Sequence, residues 1–319
     1  MPGSDEKPGV DAILQKLLDA APFQLVGDGG VEAARKRLRD VRVPEEMLPD
    51  LRTEDRTVDI GGERTIALRC YWPPGEVDGP IPVVVFFHGG GFALGDLETH
   101  DALSRAHAVG AGAVVVSVDY RLAPEHPYPA AVEDAWAATR WVAAHAAELG
   151  ADPARLAVAG DSAGGNLAAV VSQLARDAGG PPIAFQLLWY PATSWDFSLP
   201  SLVENAHAPI LDRPAVEACS RWYAGHVDPN NLPPTLAPAR AESLAGLPPA
   251  YIAVAGHDPL RDDGARYAEL LGAAGVPVQL HNAETLVHGY AGFAVVVPAA
   301  AEAVEAGLRA LRVALRGKL

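Results

Sequence analysis

Three side chains set far apart in the chain are of the types that nucleophilic catalysis uses. Ser162 lies in Gly160-Asp161-Ser162-Ala163-Gly164, after the apolar run Leu156-Ala157-Val158-Ala159 and before Gly165-Asn166-Leu167-Ala168-Ala169-Val170. That order reads as strand, sharp turn and helix. Glycines stand where the turn leaves almost no room for side chains, so the serine hydroxyl rises above the carboxyl edge of a sheet, placed to attack. An ordinary turn with a helix-capping serine is the plainer reading, but it does not require both glycines. Asp258 follows the apolar run Tyr251-Ile252-Ala253-Val254-Ala255, and His288 comes after the run from Val278 to His281, which reads as the final strand. Serine, acid and histidine in this chain order suit a sheet in which each ends a successive strand. The imidazole then takes the serine proton and the carboxylate orients the imidazole.

A fourth feature answers the need of that chemistry for an anion site. The apolar run Val83-Val84-Val85-Phe86-Phe87 ends in His88-Gly89-Gly90-Gly91, where backbone N–H groups are unshielded by side chains. The N–H groups of Gly89 and Gly90, with that of Ala163 after the nucleophile, are the expected oxyanion donors. A phosphate nest is the alternative, and no Gly-Lys-Ser/Thr follows to support it. His88 lies upstream of the serine, in the wrong order for the base, and is expected to shape the loop. Among rival groups, His257 adjoins Asp258, His281 lies within the expected strand, and His207 and His226 fall between strands. Asp262 and Asp263 open a helix, where acids suit the positive dipole end. Glu284, four residues before His288, is expected to shape a loop.

These groups need elements to hold them. Residues 1–50 read as helical, with Ile13, Leu14, Leu17 and Leu18 on one apolar stripe and a basic helix from Val31 to Arg39. Thr57–Ile60 and Thr65–Tyr71 alternate as a hairpin about Gly61-Gly62. Unbroken apolar strands then alternate with helices, the pattern of a mostly parallel sheet flanked by helices, an α/β fold. About sixty residues between the strands at 185–190 and 251–255 are too long for a plain connection. They read as a lid, with Trp195, Phe197, Ile210, Leu211, Trp222 and Tyr223 as candidates for an apolar pocket. The expected division is 1–50 N-terminal cap helices, 51–190 first part of the body, 191–245 cap insertion and 246–319 second part of the body. Arg121 sits between apolar neighbours and is expected to pair with Asp134 or Glu125.

Bulk composition narrows the function further. The net charge of −15 over 319 residues opposes nucleic acid and anionic membranes as partners. Cys70 and Cys219, the only cysteines, have neither metal nor redox spacing, so free thiols and no metal are expected. The first residues carry no basic segment joined to an apolar one, and prolines at 181, 182 and 191 interrupt the uncharged stretch from Ala178 to Trp195. A cytoplasmic protein without stable membrane insertion is the expectation.

The glycine loop with its following Phe92 and Gly95-Asp96, the segment from Tyr120 to Asp134, Gly160–Asn166, Asp258–Asp262 and His288-Gly289-Tyr290 together resemble the hormone-sensitive-lipase family of bacterial esterases, in its branch with GDSAG rather than GTSAG at the serine. The resemblance covers roughly residues 55 to 315. It implies an α/β-hydrolase fold with a helical cap made by the N-terminus and the long insertion. It further implies carboxylesterase activity on short- to medium-chain acyl esters, no cofactor, and homodimers joined through the last strand and helix. His257 departs from the aromatic or acidic residue of many relatives. A lipase or an amide-cleaving deacetylase is the alternative on the same scaffold. A non-catalytic ligand receptor, which would have lost the base, is disfavoured by His288.

Overall fold

The computed structural model describes residues 7–61, 64–75 and 78–316. Helices α1 (Ala12–Ala20) and α2 (Gly30–Asp40) come first, followed by a hairpin of β1 (Thr53–Gly61) and β2 (Arg64–Tyr71). Gly62, the second glycine of the expected turn, lies outside the described residues. From β3 (Ile81–Phe87) the chain continues through α3 (Asp101–Ala111), β4 (Val114–Asp119), α4 (Ala130–His145), β5 (Ala151–Asp161), α5 (Ala163–Asp177) and β6 (Phe185–Trp189). Then come α6 (Pro200–Glu204), α7 (Arg213–Ala224), β7 (Ala250–His257), α8 (Arg261–Ala273), β8 (Val278–Val287) and α9 (Pro298–Leu315).

Among the described residues, eight strands form one sheet in the order β1-β2-β4-β3-β5-β6-β7-β8. The β1–β2 and β2–β4 pairings are antiparallel and those that follow are parallel. Successive side chains of a strand point to opposite faces. Val83, Val85 and Phe87 therefore join Val116 and Val158 in one core, while Val84 and Phe86 join Val115, Ala157 and Trp189 in the other. Burial on both faces is why the run from Val83 to Phe87 needs no polar residue.

The final strand is longer than the sequence suggests, running to Val287 rather than His281. As the sheet's edge it buries only Ala283, Leu286 and Val287, so its polar residues mask the strand pattern. Glu284 is consequently an exposed strand residue and not part of a loop. On α1 the apolar stripe divides: Leu14 and Leu18 are buried, whereas Ile13 and Leu17 face outward. The N-terminal segment and the long insertion meet directly, Leu25 N–H donating to Ile210 O at 2.7 Å and Ile210 N–H to Phe23 O at 3.0 Å.

Arg121 grips Asp134 with both Nε and Nη2 at 2.8 Å, while the backbone N–H of Arg121 donates to the same carboxylate. Of the two expected partners, Glu125 is taken instead by Arg35 of α2. Asp134 is buried and the arginine only half so; the pair ties α4 to the loop after β4.

Candidate active site

β5 delivers Ser162 at its carboxyl end, where the backbone turns through φ 56° and ψ −115° before entering α5. Glycines are required at this turn because a Cβ on Gly164 would collide with the carbonyl oxygen of Phe87, and one on Gly160 with the backbone of Gly164. Ser162 N–H donates to Trp189 O at 2.8 Å, which fixes the turn against β6.

The next two strands bring the other groups. Asp258 follows β7, fully buried; its Oδ1 accepts the N–H of Leu260 at 2.7 Å. His288 follows β8, and its Nδ1 lies 2.8 Å from Asp258 Oδ2 while its Nε2 lies 2.9 Å from Ser162 Oγ. The Tyr190 ring stands edge-on to the imidazole at 4.8 Å. β7 and β8 can approach closely because Gly256 has no side chain; a Cβ there would strike the carbonyl of Glu284. Ser162, Asp258 and His288, separated by up to 126 residues, thus form one hydrogen-bonded chain.

The glycine loop differs in detail from the expectation. Gly89 N–H is engaged, donating to Asp161 Oδ1 at 2.9 Å. The N–H groups of Gly90 and Gly91 donate to no protein acceptor among the described residues, and Gly91 lines the cleft with Ser162 and Ala163. On this loop the N–H groups left unengaged are those of Gly90 and Gly91 rather than that of Gly89. Asp161 is itself held by its surroundings: burial would push its carboxyl up, but His100 at 3.6 Å, His88 and the Gly89 N–H outweigh it and bring it below the usual range. His88 shapes the loop as expected, with Nδ1 2.8 Å from Gly89 O and its ring stacked on Tyr120 at 4.2 Å.

Ser162 opens into a cleft walled mainly by apolar side chains. Of the six pocket candidates, Trp195, Phe197 and Leu211 line it. Ile210 and Trp222 pack elsewhere, and Tyr223 is buried against Phe92, the rings 3.9 Å apart. Cys219 also faces the cleft, but burial pushes its thiol up to about 12, which disfavours the thiolate. Leu25, Cys219 and Asp263 are lining residues that sequence reasoning did not place there; they are joined only by the packing of the N-terminal segment, α7 and α8 on the sheet.

A mostly parallel sheet sandwiched between helices, with a serine on the strained turn after a central strand, is the architecture of α/β hydrolases. The chain belongs to the alpha/beta hydrolase fold family, which it matches over residues 84–292. It is 66% identical to esterase LipI of Mycobacterium tuberculosis, over 98% of each chain, and 61% identical to carboxylesterase NlhH of the same species, over 97% of each. The solved structure of a thermostable esterase from Pseudomonas putida is 38% identical and superposes with a TM-score of 0.90, covering 98% of this chain and 99% of that one.

Proposed function

We propose that the chain is a serine carboxylesterase acting on short- to medium-chain acyl esters, with Ser162 as nucleophile, His288 as general base and acid, and Asp258 as the group that orients it. The observation that carries this is the unbroken hydrogen-bonded line from Ser162 Oγ through the imidazole to Asp258. Ser162 Oγ attacks the ester carbonyl as its proton passes to His288 Nε2, and the negative oxygen is met by the N–H groups of Gly90, Gly91 and Ala163. Collapse of the tetrahedral adduct breaks the ester C–O bond, and the departing alcohol takes the proton from the imidazole. Water then gives a proton to His288 and attacks the acyl-serine; the second collapse returns that proton to Ser162 and frees the acid. The cap division at residues 1–50 and 191–245 and a homodimer through β8 and α9 belong to the same reading.

The test is hydrolysis of p-nitrophenyl butyrate by Ser162→Ala. A loss of at least about 10³-fold is expected with an unchanged circular dichroism spectrum, and retained turnover removes the serine from the mechanism. Organophosphate labelling confined to Ser162 separates an enzyme from a receptor. Parallel assays on long-chain triglycerides and aryl amides separate the esterase from a lipase or deacetylase.

A further inference from the structure

One wall of the Ser162 cleft carries an acid that the reaction does not use. Asp263 stands in the first turn of α8, 5% exposed, and lines the cleft among Phe197, Leu202, Leu211 and Leu260. Its Oδ1 accepts both the Thr193 hydroxyl and the Ser194 N–H at 2.7 Å, tying α8 to the start of the long insertion. Both donors fall on that one oxygen. Oδ2 has no hydrogen bond, and no Lys, Arg or His pairs with the carboxylate, among the described residues. Burial raises its affinity for a proton although the side chains and backbone of Thr193 and Ser194 act against it. Without a protein donor and not sealed from solvent, this oxygen is open to what enters the cleft, where a hydroxyl carried by a bound substrate can take the place of the water that meets it. The same wall is unusual at Trp195, whose backbone is held at φ 56° and whose buried Nε1–H also lacks a partner among the described residues.

We propose that Asp263 determines specificity: its free oxygen accepts a hydrogen bond from a hydroxyl carried by the substrate, so that hydroxylated esters are favoured over alkyl esters of equal length. This rests on the serine-esterase reading. A hydroxyl needs only the one free oxygen, whereas an ammonium group has three N–H donors to satisfy and would have to reach Asp196 or Ser220 elsewhere on the cleft as well.

The experiment compares kcat/KM at pH 8 for matched esters that differ only at the far end of one arm. For the acyl arm these are p-nitrophenyl hexanoate, 6-hydroxyhexanoate and 6-methoxyhexanoate, with butyrate and 3-hydroxybutyrate as a shorter pair. For the alcohol arm they are hexyl and 6-hydroxyhexyl acetate, followed by acid release. The hydroxylated member is expected to be favoured about tenfold to a hundredfold in one arm, with the methoxy ester no better than the alkyl one. Asp263→Asn is expected to abolish that ratio. Each ratio is taken within one variant, so a general loss of activity cancels. If that variant does not fold, Asp263→Glu, whose carboxylate is displaced by one methylene, is expected to move the preferred hydroxyl along the chain. Wild-type ratios within threefold of unity in both arms, an Asp263→Asn protein that keeps the preference, or a stronger preference for an ammonium-ended ester each overturn the proposal. Failure of the esterase reading looks different, since then no member of the panel is hydrolysed.

Discussion

His288 is held between two oxygen atoms, and that settles which nitrogen carries the proton. Nδ1 faces the Asp258 carboxylate, which can only accept, so Nδ1 is protonated and Nε2 keeps a lone pair for the Ser162 hydroxyl. Asp258→Asn disturbs this in a definite way. The Leu260 N–H already requires an acceptor at the first carboxylate position, so the asparagine oxygen goes there and its NH₂ faces Nδ1. The imidazole is then driven to carry its proton on Nε2, where it can no longer accept from serine. A fall of about 10⁴-fold in kcat is expected, with the fold retained; a fall under tenfold in a steady-state assay removes Asp258 from its orienting role. The three residues were legible in the sequence because each ends a recognisable strand or follows one. The engagement of the Gly89 N–H was not, because it depends on where the Asp161 side chain turns, and no spacing rule encodes that.

Between elements, the least expected tie is made by Arg35 of α2. It reaches Ala93 O and Ala123 O, both at 2.9 Å, and grips Glu125 through both terminal nitrogens. One guanidinium therefore joins an N-terminal helix to the loop after β3, which carries the proposed oxyanion donors, and to the loop after β4. Hydrogen bonding by Arg35 holds the Glu125 carboxyl down to about 2. Arg35→Ala leaves two backbone carbonyls without their donor, and a loss of about 2 kcal/mol is expected. This would be read as a lower urea midpoint at unchanged slope, with a reduced kcat because the glycine loop loses a brace. Arg35→Lys should restore little of either, since an ammonium group cannot fork across three acceptors. Stability and kcat both within error of the wild type would show that α2 is merely resting on the body. The sequence made α2 visible as a basic helix but gave it no partner, for the pairing spans 58 to 90 residues and leaves no periodic trace. The same holds for β8: central strands announce themselves by being apolar throughout, whereas an edge strand with one wet face reads as a loop beyond its first four residues.

For the whole molecule, the response to acid is set by two histidines sealed into the cores. His107 gives its Nδ1–H to Leu103 O at 2.7 Å and accepts the Trp189 indole N–H at Nε2, so both nitrogens are used only when the ring is neutral. His88 is buried with Nδ1 on Gly89 O and Nε2 without a partner among the described residues. Burial pushes both down to about 4, below the value near 6.5 of an unfolded imidazole. The unfolded chain therefore binds more protons as the pH falls below 6.5. The stability that the neutral rings contribute is complete above that value and is lost progressively toward pH 4. Half-buried His257, lowered first by burial and then by Lys7, acts in the same direction. The carboxyls of Glu125 and Glu204, held to about 2 chiefly by hydrogen bonds from Arg35 and Arg261, lose their contribution only below the ordinary glutamate range. The two windows are thus separable. Equilibrium urea unfolding is expected to lose about 4 kcal/mol between pH 7 and pH 5, roughly half from each buried ring, less what Asp119 and Asp263 return, since burial raises their carboxyls and the folded chain protonates them first. A free energy that stays level across those two units and falls only below pH 4.5 would mean that the imidazoles take up protons without unfolding, and that the cores around Phe86 and Tyr120 admit charge.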